Sequence, residues 1–144
     1  MSTEPSTFEL AADSTSLPPF RKKLKSLLEK AAFDEKTVHN ILLSVDEVLT
    51  NVIRHAYCPA CQNRKEKIHV SIFEHENRIE ILIEDKGPCF DPRTIPPPKL
   101  PSEKPGGLGI YLVRTLMDEI DHEALKPQGN RLRLVKYKEK MKGI

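Results

Sequence analysis

Residues 38–57, VHNILLSVDEVLTNVIRHAY, carry the longest unbroken helical periodicity in the chain. Apolar side chains recur at Val38, Ile41, Leu42, Val45, Val48, Leu49, Val52, Ile53 and Ala56. That is the i, i+3, i+4, i+7 stripe of a half-buried helix. At about 100° per residue, Glu47, Asn51 and Arg54 fall on the opposite side. Glu47 and Asn51 are one turn apart, so their side chains are neighbours. On spacing alone, such a polar face is read as solvated; the rest of the chain decides whether that reading holds.

The chain has 144 residues, enough for one domain with a real core and too few for two ordinary ones. Its 23 basic and 21 acidic residues nearly balance, at a net charge of +2. Nucleic-acid binding would call for a clustered basic excess, which is absent. No apolar run approaches the ~20 residues of a membrane span. The first residues, MSTEPSTFEL, lack the charged and apolar regions of a signal peptide, so a cytoplasmic protein is expected. Three cysteines, Cys58, Cys61 and Cys89, do not make a disulfide framework. Cys58 and Cys61 form a CxxC, but no second pair stands at zinc-site spacing, so they read as ordinary thiols in a loop.

In chain order, TFELA (7–11) alternates like a short strand. Ser14 or Ser16 can cap a helix with Pro18 and Pro19 in its first turn and Phe20, Leu24, Leu27, Leu28 and Ala31 on one face. Arg21, Lys22, Lys23 and Lys25 crowd its other side. Asp34 caps the long helix. IHVSIFEHE and RIEILIEDKG alternate and are joined tightly at Glu76–Arg78, as an antiparallel hairpin. Residues 87–105 have no periodicity and are rich in proline, as expected for a lid. A helix follows over 110–120, then two strands, 121–125 and 131–137, turned at Gln128, Gly129 and Asn130. Three helices and about five strands, mostly in hairpins, predict an α+β two-layer sandwich. The helices would pack on one face of a mixed, mostly antiparallel sheet.

Three segments carry chemistry. Gly106, Gly107, Leu108 and Gly109 open a helix, where glycines let the backbone approach an anion and the free N–H groups attract it. The segment is neither a Walker A loop nor a Rossmann fingerprint. Asp85 ends a strand two residues before Gly87. A carboxylate there can accept from an exocyclic amine, with the glycine admitting a flat ring; equally, it can cap its own turn. Glu47 and Asn51 form the third.

The order of these segments resembles the GHKL ATPases, and most closely the anti-sigma-factor serine kinases of bacteria. The matching stretches are DEVLTNVIRHAY (46–57), DKGPCFDP (85–92) and PGGLGIYLVRTLMDEI (105–120). The resemblance covers nearly the whole chain and implies one ATP-binding kinase domain of Bergerat fold over residues 1–144. It implies that Asn51 binds the Mg²⁺ bridging the phosphates of ATP, and that Glu47 is the general base for the attacking serine. It places Asp85 on the adenine amino group with Gly87 shaping the pocket. Gly106, Gly107, Leu108 and Gly109 would lie against the phosphates, with Arg54 and His55 near the nucleotide. It implies partners too: a sigma factor held inactive, a STAS-type anti-anti-sigma protein as substrate, and a second copy in a homodimer. The homodimer would form through the first strand and helix, and Arg21 with its basic neighbours is a candidate sigma contact. The chain departs from the family's first glycine box in carrying Cys89 at the second glycine. The alternatives are a non-catalytic ATP-binding module that only sequesters its partner, and the catalytic half of a histidine-kinase system.

Overall fold

Two runs of alternating isoleucine and valine build the middle of the sheet. The computed structural model of the protein describes residues 4–56, 67–87, 93 and 107–138, without the side chains of 55, 56 and 107–110. Strands β2 (Lys67–Glu74) and β3 (Arg78–Asp85) pair antiparallel with Val70 opposite Ile83 and Ile72 opposite Ile81. Because side chains alternate, this register puts Ile68, Val70, Ile72, Ile79, Ile81 and Ile83 on one face, and all six are buried. Strand β1 (Ser6–Ala11) adds to β2, with Leu10 opposite Ile68. Strands β4 (Glu119–Ala124) and β5 (Asn130–Tyr137) form a second hairpin, and β5 joins β3 with Leu134 opposite Ile81. The order is β1-β2-β3-β5-β4 and every one of these pairings is antiparallel.

Three helices cover the apolar face. Helix α1 (Leu17–Lys30) begins with Pro18 and Pro19 in its first turn and buries Leu17, Phe20, Leu24 and Leu28. Its entry is a 3-10 turn, Ser14–Ser16, where Asp13 accepts the Thr15 N–H. Ser16 stands at the N-cap but turns its hydroxyl back to the carbonyls of Ala11 and Asp13. Helix α2 (Glu35–Asn51) is capped as expected: the Asp34 side chain accepts the Thr37 N–H at 2.7 Å. It packs against both α1 and helix α3 (Gly107–Leu116). Val38, Ile41, Val45, Val48 and Leu49 of α2 meet the sheet's isoleucines in one core.

The long periodic stretch is one helix only as far as Asn51; a π-helical turn, Val52–Ala56, follows. Such turns shift the helical register and recur at functional sites. Arg54 therefore does not continue the α-helical face of Glu47 and Asn51. The third helix starts three residues earlier than its periodicity suggests, with Gly107 and Gly109 in its first turn. The CxxC loop, Cys89, Gly106 and the lid, apart from Gly87 and Arg93, lie outside the described residues. Among the described residues, no helix is long and apolar enough to cross a membrane.

Candidate functional site

Asn51 is the last α-helical residue of α2, and it is buried rather than solvated. Its amide nitrogen donates to the carbonyl of Glu47, one turn back, at 2.7 Å. That bond fixes the flip of the carboxamide, because only the nitrogen can donate. No described residue donates to its Oδ1. A neutral amide oxygen held in this way is a hard donor of the type Mg²⁺ takes. The Glu47 carboxylate, half-buried on the same face, makes no hydrogen bond or ion pair among the described residues. A polar face that sequence spacing reads as wet thus holds one locked amide beside a carboxylate with no partner among the described residues.

Asp85 is the last residue of β3 and is 3% exposed. Its Oδ1 accepts from the Gly87 N–H at 2.8 Å and from the Asn130 amide at 3.1 Å. Burial pushes its carboxyl above the ordinary value; the bonds from Asn130 and Gly87 and the nearby His122 pull partly back. Among the described residues both donors sit on Oδ1, and none reaches Oδ2. The turn-capping role that sequence allowed for Asp85 is present, through Oδ1 and the Gly87 N–H.

Asn130 and His122 are residues that sequence reading missed. Asn130 lies directly opposite Asp85 in the β3–β5 register, and its Oδ1 meets His122 Nε2 at 2.7 Å. Gly129 backs the same spot: its φ is +136°, and an added Cβ would stand 2.5 Å from the Asp85 carbonyl oxygen. Sequence spacing treats Gln128, Gly129 and Asn130 as a turn, whereas Asn130 begins β5. Only the register of two strands far apart in sequence reveals its partner.

Gly107, Leu108 and Gly109 form the first turn of α3, where backbone N–H groups have no intrahelical acceptor. Gly106 lies outside the described residues. The backbone of His55 lies in the π-helical turn, and Arg54 beside it is exposed. Helix packing brings α2 and α3 together, while Asp85 stands on the sheet they cover. Among the described residues no cluster of acidic, histidine or cysteine side chains forms a metal site by itself. A Mg²⁺ ion here would need the ligand's own oxygens.

Three helices packed on one face of a five-stranded antiparallel sheet are the architecture of a GHKL-type domain. Residues 10–136 match the family described as "Histidine kinase-like ATPase domain", and the chain belongs to that family. It is similar to the serine-protein kinase RsbW of Staphylococcus aureus, 32% identical over 130 residues, which cover 81% of this chain and 76% of that protein. It is also similar to RsbW of Oceanobacillus iheyensis, 31% identical over 108 residues, covering 69% of this chain. The chain spans only 66% of that relative's length. In fold it resembles the RsbU and RsbW domains of a Mycobacterium tuberculosis protein. The TM-score is 0.65 at 16% identity, over 94% of this chain and 32% of that one. The histidine kinase domain of an Erythrobacter litoralis blue-light activated kinase gives a TM-score of 0.52 at 19% identity, over 92% of this chain and 64% of that one.

Proposed function

We propose that the protein is an ATP-dependent serine protein kinase that also acts as an anti-sigma factor. It holds a sigma factor inactive and phosphorylates a STAS-type anti-anti-sigma protein, working as a homodimer of single ATP-binding domains with a lid over about residues 87–105. The observation that carries this reading is the Asn51 carboxamide. Its nitrogen is committed to the Glu47 carbonyl, its oxygen meets no donor among the described residues, and Glu47 stands one turn away. The similarity to proteins named serine-protein kinase supports it at the level of the family.

In this reading the chain chiefly positions and neutralises, as phosphoryl transfer requires. Asp85 Oδ2 accepts the exocyclic amine of adenine, and Gly87 leaves room for the ring. The backbone N–H groups of Gly106 to Gly109 meet the phosphates, with no Cβ at the glycines to hold them off. Asn51 Oδ1 is one of few protein ligands to Mg²⁺, which when bound neutralises phosphate charge. Glu47 takes the proton as the serine Oγ bonds to the γ-phosphorus and the bond to the ADP oxygen breaks. Arg54 and His55 flank the nucleotide.

The test is transfer of γ-labelled phosphate from ATP to a STAS-domain protein recovered with this chain from its native cell. Wild type labels a serine; Glu47→Ala binds ATP but transfers at least ~100-fold more slowly, the usual scale of a general base. Asn51→Ala loses Mg²⁺-dependent ATP binding while staying folded. Equal labelling by wild type and Glu47→Ala removes the catalytic role. ATP binding and partner capture without any transfer leaves a sequestering module, and label on a histidine points to a histidine-kinase system.

A further inference from the structure

Helices α1 and α2 run antiparallel: Arg21, near the start of one, pairs with Asp46, near the end of the other. Beside that pair the two helices leave a groove of about 660 Å³. Its floor is apolar, with Phe33 and Val38 buried and Leu42 half-buried. Its rim is exposed and charged, and the charges are sorted by position. Lys22 and Lys25 line the end toward the start of α1. Glu29 of α1 and Glu35 of α2 line the end where the two helices connect. There Lys138 Nζ stands 5.6 Å over the Phe33 ring, one cation against two carboxylates. The side chains of Lys22, Lys25, Glu29 and Glu35 make no hydrogen bond or ion pair among the described residues. Arg21 is different, being held by Asp46.

A solvated helix face needs neither an apolar floor nor sorted charges. An apolar groove between two helices is a seat for a third, which lays its own apolar stripe along the floor. The charges then decide which way that third helix runs. Helices favour acidic side chains in their first turns and basic ones in their last, because of the backbone dipole. Laid parallel to α1, such a helix brings its acids to Lys22 and Lys25 and its bases to Glu29 and Glu35. Laid the other way, it sets like charge against like at both ends. Lys22 and Glu29 are two turns apart, so about 10 Å separates the opposed charges.

We propose that the α1–α2 groove is a docking site for an amphipathic helix of a partner protein, acidic in its first turns and basic in its last, lying parallel to α1. Glu47, Asn51 and Asp85 do not line the groove, so the inference does not rest on the kinase reading. A contact of a few turns is small, and the binding it gives is weak and reversible.

The experiment uses two labelled peptides of ~14 residues, about four turns, with leucines at i, i+3, i+4 and i+7. Both have one composition; one carries glutamates first and lysines last, and the other the reverse. A covalent staple holds both helical, and circular dichroism checks that it does. Fluorescence anisotropy with the full chain at low salt gives the affinities. The glutamate-first peptide binds about tenfold tighter, the scale of a few surface ion pairs turned from favourable to unfavourable. Raised salt narrows the gap. The double variant Lys22→Glu with Lys25→Glu removes or inverts the preference while its thermal melt stays that of wild type. If neither peptide binds, if both bind equally, or if the preference survives the double variant, the inference fails. Light scattering covers the other occupant: if the double variant changes the oligomeric state of the chain alone, the groove belongs to a second copy, and the proposed partner helix is ruled out.

Discussion

At φ +136°, Gly129 holds its backbone against Asp85 in a conformation that residues with a side chain rarely adopt. Gly129→Ala meets both the strained φ and a carbonyl oxygen at 2.5 Å. It should destabilise the fold by about 1–3 kcal/mol, read as a lower denaturant midpoint, and should disturb the Asp85 carboxylate first. Asp85 has its own pH signature. Its folded pKa lies above the ordinary 3.8, so in the window above 3.8 the folded chain binds more protons than the unfolded one. Stability from this group therefore falls as pH rises through that window, and the ionised form is a cost to the fold at neutral pH. Asp85→Asn keeps an acceptor for both Gly87 and Asn130 and drops the charge. It should be at least as stable as wild type at pH 7, with an advantage smaller at pH 4. Denaturant unfolding at the two pH values checks this, and a variant weaker than wild type at pH 7 would contradict it.

Helices and strands differ in how openly the sequence announces them. The stripe of α2, its Asp34 cap and the alternation of β2 and β3 are local patterns, and each stands where the sequence puts it. The π-helical turn after Asn51 is not legible, because Val52, Ile53 and Ala56 continue the apolar period regardless of which carbonyl each N–H meets. The pairing of β3 with β5 is not legible either, since no local pattern couples strands so far apart in sequence. Asn130 and His122 stay hidden for that reason, whereas Glu47, Asn51 and Asp85 stand out by type and position. Energetically, the helices are held by their apolar faces. Leu28 of α1 is fully buried, so Leu28→Ala should cost about 2–5 kcal/mol. Arg21 pairs with Asp46 across α1 and α2, but both side chains are partly exposed. Arg21→Ala should cost less than about 1 kcal/mol. Chemical denaturation of the two variants tests the ranking, and a larger loss for Arg21→Ala would reverse the account.

Across the whole molecule, the sheet face away from the helices is bound by charge. Arg133 reaches Glu80, Glu119 and Asp121, and Arg131 reaches Glu84 and Glu123. Burial pushes the Glu80 carboxyl up, but hydrogen bonds from Arg133 and His75 outweigh it and leave it below the usual 4.5. Tyr137 and Arg133 lower Glu119 in the same way, and the Thr37 N–H lowers Asp34 below 3.8. Depressed folded pKa values give stability that is present above the unfolded values and is lost as pH falls through the folded ones. Melting temperature should therefore drop as pH is taken below about 4.5, with Asp85 alone among these carboxyls acting in the opposite direction. Arg133→Met should flatten that acid limb, and raised salt should shrink it because the pairs are half exposed. An acid limb unchanged in Arg133→Met would remove the network from the explanation.

The bond that joins Asp85 to Asn130 has a consequence for how the chain assembles. The β2–β3 and β4–β5 hairpins close short loops and can form early, whereas the seam between them joins residues 45 positions apart. The entropy of that closure must be met before its contacts repay it. A chain with both hairpins and all three helices but an open seam would leave Asp85 without the Asn130 amide that it meets across the seam. The surroundings of the Asp85 carboxylate are thus a late product of folding, complete only when the two halves of the sheet dock.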